Sequence, residues 1–177
     1  MRVARWVAVA ALALLLAPVV VVARDGFERL KYRDYRNLLK DGFLAYQKDD
    51  YTRAFQLLRR NACGGDKGSQ FTLGGMYLLG QGTEPDALRA YAWMRASAES
   101  GDLQFKQAAD KLLASIPPLH LDSAAMLANT TLEKYGMRAT GMSCTQAAPL
   151  GSHLTRVECR PPVDGRTGYL DMKMCEE

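Results

Sequence analysis

The sequence predicts a mainly α-helical protein in which a short α-α solenoid is followed by a small, disulfide-containing α+β extension. Residues 50–66 and 86–102 are two copies of one pattern, offset by 36 positions. A fixed period of this size is typical of helical repeats, whose units bury their apolar faces against their neighbours. The last 34 residues instead contain three of the four cysteines and short alternating runs typical of strands.

An apolar run precedes the repeat. Residues 6–23 are 18 apolar residues that follow Arg2 and Arg5. We interpret residues 1–23 as a signal peptide cleaved before Arg24, or as a retained transmembrane anchor. Basic residues ahead of the run keep the N-terminus cytoplasmic, so the rest of the chain is expected to be exported. The expected location is the periplasm, the periplasmic side of the inner membrane if the anchor is retained, or the medium after secretion.

The charge of the exported part excludes one class of partner. The formal net charge is +4, and it falls to +2 without Arg2 and Arg5. No run of lysine and arginine is interleaved with aromatic residues, so nucleic-acid binding is not expected. Membrane contact is expected only through residues 6–23, if they are retained.

The first two helices are indicated by periodicity and by their end signals. Residues 26–48 carry aromatic and apolar side chains three or four positions apart, which predicts a helix. Asp50 is the expected N-cap of the next helix. Gly64 and Gly65 end that helix, since glycine readily adopts left-handed geometry.

Three further helices complete the expected repeat region. One runs from about residue 67 to residue 79 and contains Gly74 and Gly75, which are tolerated inside a helix where a neighbouring helix approaches closely. Asp86 or Thr83 caps the next helix, which Gly101 closes. The last begins after Asp102 and ends near Ser115, ahead of two prolines.

Residues 73–82 read LGGMYLLGQG, and residues 90–93 read AYAW, with Asp86 between them. These residues resemble a Sel1-like repeat, a helical repeat related to the tetratricopeptide repeat. The similarity covers residues 38–115. It implies antiparallel helix pairs stacked into a right-handed solenoid, in an exported bacterial member of the family. The repeat-defining positions are Ala54, Leu57, Gly65, Leu73, Gly74, Tyr77, Gly80, Gly82, Asp86, Ala90, Trp93, Ala98 and Gly101.

The expected organisation is a helical repeat domain at residues 24–118 and an extension at residues 119–177, which resembles no known family. Asp122 is the expected cap of a helix that continues to about Lys134. Three β-like runs follow, and a turn joins the last two of them, so we expect one small antiparallel sheet. The runs span residues 137–144, 153–159 and 168–175.

The four cysteines are expected to form disulfides in an oxidising compartment. Three connectivities are possible. We favour a bond within the extension, either Cys144–Cys159 or Cys159–Cys175. The remaining cysteine of the extension would then pair with Cys63 or stay free.

No catalytic, cofactor-binding or metal-binding residue is predicted. The glycines Gly80 and Gly82 lack the following lysine of a phosphate loop and are typical of a repeat turn. There is no CxxC pair. His120 and His153 have neither ligand spacing nor a nucleophile in a recognisable motif.

The candidate partner surface predicted from the sequence contains three arginines and one tyrosine. Arg53, Arg59 and Arg60 form a basic cluster that is typical of a solvated helix face. Tyr91 is the repeat aromatic residue expected to expose an edge.

Members of the Sel1-like repeat family generally act as adaptors or scaffolds, often at the bacterial cell envelope. The resemblance therefore implies an exported interaction protein that binds protein partners of the envelope without catalysis. An alternative is an exported hydrolase of the cysteine-rich type, acting on β-lactams or peptidoglycan, although those carry cysteine pairs in every repeat. A small ligand-binding or inhibitor module in the extension is a third hypothesis.

Overall fold

The computed structural model describes residues 26–148 and 156–176. This part of the chain is mostly helical, with two small antiparallel sheets and disulfide bonds, which confirms the predicted fold class. The signal or anchor assignment at residues 1–23 and the position of His153 lie outside the described residues.

The helices and strands are numbered in chain order. The strands are β1 (Phe27–Lys31), β2 (Ser143–Ala147), β3 (Arg156–Arg160) and β4 (Tyr169–Lys173). The helices are α1 (Tyr32–Gln47), α2 (Tyr51–Cys63), α3 (Lys67–Leu79), α4 (Ala87–Ser97), α5 (Leu103–Ser115), α6 (Leu121–Tyr135) and α7 (Met137–Thr140). A 3₁₀ turn follows α4, and another precedes α6.

The helices α2 and α4, one in each copy of the pattern, begin in the same way. The carboxylate of Asp50 accepts the backbone N–H of Arg53 at 3.3 Å, and that of Asp86 accepts the N–H of Arg89 at 2.9 Å. Each aspartate thereby satisfies one of the N–H groups that a helix start leaves unpaired. Asp86, and not Thr83, is therefore the cap of α4.

The two copies also end alike. Gly65 and Gly101 have φ angles of +92° and +82°, a conformation that residues with a Cβ rarely adopt. Asp66 and Asp102 then cap α3 and α5. Each copy thus turns the chain at one glycine and starts the following helix at the next aspartate.

Successive helices from α1 to α5 pack on one another, and α3 packs most extensively on α4. Gly74 permits this contact. A Cβ there would lie 2.7 Å from Cγ of Met94 and 2.9 Å from the carbonyl oxygen of Ala90. A Cβ at Gly75 would meet nothing within 4 Å, so the close approach expected at both glycines occurs only at Gly74.

The helix α6 packs mainly on α4. The rings of Trp93 and Tyr135 stack with centroids 5.4 Å apart and join the two helices. The N-cap of α6 is His120, and Asp122 lies in the first turn. The predicted cap was wrong because the 3₁₀ turn that begins at Pro118 leads directly into the helix.

The start of the first predicted helix is also corrected. Residues 27–31 form β1, which pairs antiparallel with β4 near the C-terminal end, with Leu30 opposite Leu170. Leu170 and Met172 are buried against Tyr35 of α1. The local pattern indicated a helix, but pairing with a distant strand determines the conformation of this segment.

The three strands of the extension belong to two separate two-stranded sheets, where one sheet was expected. Residues 137–140 form α7, so the strand predicted there begins only at Ser143. The strands β2 and β3 pair with each other, while β4 pairs with β1. The predicted turn between the last two strands is therefore a connection between sheets.

The disulfides are Cys144–Cys159, which joins β2 to β3, and Cys63–Cys175, which joins the end of α2 to the C-terminal end. Of the alternatives left open by the sequence, the bond from Cys144 to Cys159 is the one formed. Two disulfides indicate an oxidising, extracytoplasmic environment.

In the part of the chain that the structure describes, no helix combines the length and apolar character needed to cross a membrane.

Candidate partner-binding surface

A buried lysine lies at the centre of the helical frame. Only 2% of Lys67 is exposed, and its ammonium group donates to Gln70 Oε1 at 3.1 Å, to the carbonyl oxygen of Ala96 at 2.9 Å and to Glu99 Oε2 at 2.9 Å. Burial lowers the pKa of Lys67 below its ordinary value, and hydrogen bonding to Glu99 opposes this effect. Three acceptors satisfy all three of its N–H donors, which indicates a structural role for this lysine.

The same polar cluster connects the repeat helices to the extension. Nε2 of Gln70 donates to the carbonyl oxygens of Ala62 and Tyr135 at 3.0 and 2.9 Å. Oε2 of Glu99 also accepts the backbone N–H of Met137 at 2.8 Å. Helices from both parts of the chain therefore share one satisfied hydrogen-bond network, which holds them in fixed positions.

The structure does not bring the predicted arginines together as a solvated face. Arg53 is exposed near the start of α2. Arg59 donates to the backbone carbonyl of Glu176 at 3.4 Å, and Arg60 forms an ion pair with Glu28. The latter two are half-buried because the two ends of the described chain, β1 and the residues after β4, cover that side of α2.

Tyr91 is 8% exposed and belongs to the main core, so the expectation of an exposed edge was wrong.

The repeat-defining residues form the core or the turns of the repeat. Leu57 and Ala98 are half-buried. The buried ones are Ala54, Gly65, Leu73, Gly74, Tyr77, Ala90 and Trp93. Gly80 and Gly82 have φ angles of +68° and +73° in the turn after α3.

His120 lines a small apolar cavity of about 260 Å³ between α3, α4 and α5. Its neighbours there are apolar side chains such as Leu88 and Ile116. Within residues 26–148 and 156–176, no three histidine, cysteine, aspartate or glutamate side chains are grouped so that they could hold a metal ion.

One groove on the surface was not predicted from the sequence. It lies between the start of α1 and the strand β3 and has a volume of about 790 Å³. We call it the arginine groove. Its lining residues are Tyr32, Arg36, Arg156, Val157, Glu158, Cys159, Arg160, Pro161 and Val163.

The arginine groove runs along one edge of β3. Side chains of a strand alternate between its two faces. Val157 and Cys159 also line a second cavity, of about 240 Å³, against the N-terminal ends of α3 and α5, so they face the helices. Arg156, Glu158 and Arg160 therefore face the other way. The arginine groove is lined by residues of both faces of β3, so it follows the edge of the strand that lies between these faces.

The arginine groove is positively charged and its charges are ordered. Arg156 donates to Glu158 Oε1 from Nε at 3.0 Å and from Nη2 at 2.7 Å, and Arg160 Nη2 donates to Glu158 Oε2 at 3.3 Å. The hydrogen bonds from Arg156, and then those from Arg160, hold the pKa of Glu158 below its ordinary value. Across the groove, the Arg36 guanidinium lies 6.0 Å from the centroid of the Tyr32 ring. Two guanidinium groups thus flank the Glu158 carboxylate, and a third lies on the opposite wall.

The fold matches that of a solved protein. The crystal structure of a protective antigen present in uropathogenic Escherichia coli strains, which displays an SLR (Sel1-like repeat) fold, aligns with a TM-score of 0.55 and 23% identity. The alignment covers 60% of this chain and 24% of that one, so the chain spans about a quarter of the length of the antigen. At this identity the similarity shows the fold alone. No protein-family model and no curated protein matches the chain.

Proposed function

We propose that the chain is an exported, non-enzymatic interaction module that binds a protein partner of the cell envelope. The helices of the SLR-type fold form its frame, and the arginine groove is its docking site. The observation that carries the proposal is the groove itself: a charged depression lined by all five residues of β3, which suits a segment of another protein. Helical repeats of this type generally serve as adaptors or scaffolds, and this use of the fold supports the proposal.

The frame favours binding because the groove is formed before a partner arrives. One wall is β3, which the Cys144–Cys159 bond ties to β2. The other is α1, which continues from β1 and is held through β4 and Cys175 to the end of α2. A rigid site loses little conformational entropy on binding, so more of the contact energy contributes to affinity.

The proposed location rests on two features. The disulfides need an oxidising compartment. Residues 1–23 have the composition of a signal peptide or an inner-membrane anchor. We therefore place the folded part in the periplasm or at its membrane surface, where a partner of the envelope would meet it.

Site-specific photocrosslinking in cells of the native source tests this function. A benzophenone amino acid replaces Arg160, whose side chain is 79% exposed at the groove. A matched control replaces Lys111, an exposed residue of α5 outside the groove. We expect one discrete protein adduct from the Arg160 position in the envelope fraction and none from Lys111. The same adducts from both positions, or none from the groove, would contradict the proposal.

A further inference from the structure

The free edge of β3 indicates the form of the partner, and this inference rests on the proposed function. We infer that the arginine groove binds an extended acidic segment of a partner protein, which adds as a third strand to the sheet of β2 and β3. Addition of a peptide strand to an exposed sheet edge is a recurrent mode of recognition, in which main-chain hydrogen bonds provide affinity and side chains provide specificity.

The sheet has room for such a strand. Among residues 26–148 and 156–176, β3 pairs with β2 alone, and the groove lies along its other edge. An edge strand presents N–H and C=O groups that can pair with another chain. Tyr32 and Arg36 form the opposite wall, so an added strand would lie between β3 and α1.

The register shows which backbone groups are available. Residues directly opposite in an antiparallel pair alternate between hydrogen-bonded pairs, about 5.5 Å apart at Cα, and closer non-hydrogen-bonded pairs, about 4.5 Å apart. The Cα atoms of Cys144 and Cys159 are 4.0 Å apart, so theirs is a non-hydrogen-bonded pair. By alternation, Val157 and Gln146 form another. The N–H and C=O groups of Val157 and Cys159 therefore point away from β2, into the groove.

The side chains of β3 define the charge pattern of the added strand. Arg156 and Arg160 are 69% and 79% exposed on one face, with Glu158 between them. An antiparallel strand would place acidic side chains opposite the two arginines and a neutral one opposite Glu158, because like charges directly opposite destabilise a sheet. Arginine has five N–H donors, and Glu158 accepts two from Arg156 and one from Arg160, so both retain donors for a partner carboxylate.

The other face of the added strand would continue the face of Val157 and Cys159, which turns toward the helices. Apolar residues are expected there, because Val157 and Cys159 on the same face are apolar and half-buried. The expected segment therefore reads acidic, apolar, neutral, apolar, acidic. Arg36 on the opposite wall adds a third positive charge near the bound strand and increases the preference for an acidic segment.

A pair of backbone-methylated peptides tests strand addition. The probe is a capped, fluorescent peptide with the core Glu-Val-Thr-Val-Glu, titrated with the oxidised protein in an anisotropy assay. In an antiparallel arrangement both valine N–H groups face β3, while the threonine N–H faces away. N-methylation of either valine should abolish binding of the probe, and N-methylation of the threonine should leave its affinity unchanged. The reverse pattern would indicate parallel addition and also supports the inference. Equal tolerance of both methylations, or loss with both, would overturn it.

Charge reversal tests the arginines. The double variant Arg156→Glu with Arg160→Glu should bind the probe about tenfold or more weakly, since it removes two favourable contacts and introduces repulsion. The control Arg95→Glu with Lys111→Glu makes the same change of net charge at exposed positions outside the groove and should bind normally. An equal loss in both double variants would show that binding depends on net charge alone, which contradicts a defined site. Circular dichroism and the intact Cys144–Cys159 bond, checked by mass spectrometry, show that both variants are folded.

The two proposals can fail separately. If Arg160 crosslinks a discrete envelope protein but the acidic probe does not bind, the docking function stands and the acidic strand is wrong. If the probe binds with the expected methylation pattern but no adduct forms in cells, the groove is a peptide site and the envelope function is wrong. Binding of a lysine-substituted probe as tightly as the acidic one would overturn the charge assignment.

Discussion

Cys175 is bonded to Cys63 across 112 positions of the chain, and this bond brings the C-terminal segment against the end of α2. Met172 of β4 covers Gly64 so closely that a Cβ at that glycine would lie 2.6 Å from Cγ of Met172. The backbone N–H of Glu176 donates to the Tyr135 hydroxyl at 3.0 Å. The residues that follow β4 therefore contact both a repeat helix and α6, and they hold the two parts together.

Removal of this disulfide should cost more stability than removal of the other. A crosslink stabilises mainly by restricting the unfolded chain, more so when it closes a longer loop. We expect Cys63→Ala with Cys175→Ala to lower the free energy of unfolding by about 3–5 kcal/mol. Cys144→Ala with Cys159→Ala, which opens a loop with a separation of 15, should cost about 1–2 kcal/mol less than that. Urea denaturation of both double variants measures this, and a larger loss at the shorter loop would contradict it.

The sequence predicted the helices α2, α3, α4 and α5 well because their ends are specified locally. An aspartate at each start and a glycine at most ends act within a few residues of the chain, so their effect can be read from the sequence. The strand β1 could not be predicted in this way. Its conformation depends on β4, which lies more than a hundred positions away, and no local signal in residues 27–31 identifies that partner.

The arginine groove could not be predicted for the same reason. The alternation of Arg156, Glu158 and Arg160 indicates a strand with one charged face, but nothing in the sequence places that strand beside Tyr32 and Arg36. The predicted cluster at Arg59 and Arg60 was instead covered by segments distant in sequence. In both cases, long-range packing determined which arginines are available to a partner.

The neighbouring glycines of α3 provide a matched pair of substitutions. Gly74→Ala should destabilise the protein by about 1–3 kcal/mol, because the added methyl group would overlap Met94 and the carbonyl of Ala90. Gly75→Ala meets nothing within 4 Å and should stabilise the helix by up to about 1 kcal/mol. Thermal and urea unfolding of the two variants give the comparison. Changes of the same sign would show that α3 and α4 are not in close contact at Gly74.

Lys67→Met should destabilise the protein by about 3 kcal/mol, because it leaves three acceptors without their donor in the interior. The control is Lys106→Met. Lys106 pairs with Asp110 at the surface with 64% of its side chain exposed, so its loss should change the free energy of unfolding by less than about 1 kcal/mol. Urea titrations at neutral pH measure both variants. A similar small effect for both would contradict the central role of the buried cluster.

Because Lys67 is buried, we also expect the free energy of unfolding to depend on pH. Burial lowers the pKa of Lys67 in the folded state below the ordinary value of 10.5. At pH values between these two pKa values, the unfolded chain holds the proton more tightly than the folded protein does. Stability from this group therefore rises with pH through that window and is complete above 10.5. We expect the difference in unfolding free energy between the natural protein and Lys67→Met to increase as the pH approaches 10.5. A constant or decreasing difference would show that the pKa of Lys67 is not lowered.

The stacked pair Trp93 and Tyr135 should account for much of the attachment of α6 to α4. Trp93→Ala removes the stacking and leaves a cavity in the core, for which we expect a loss of about 3–5 kcal/mol. Tyr135→Phe keeps the ring but removes the acceptor of the Glu176 N–H, so it should cost only about 1 kcal/mol.

The residue equivalent to Trp93 in the first copy is Leu57, which is half-buried beside α1. Cβ of Leu57 lies 3.4 Å from where a Cβ on Gly42 would be, so α1 and α2 are in contact at this position. The larger side chain of Leu57→Trp should therefore destabilise the protein by about 1–3 kcal/mol through overpacking. Unfolding by urea, followed by circular dichroism, tests all three substitutions. If Leu57→Trp were neutral and Trp93→Ala cost less than Tyr135→Phe, tight packing of α1 on α2 and stacking of α6 on α4 would both be refuted.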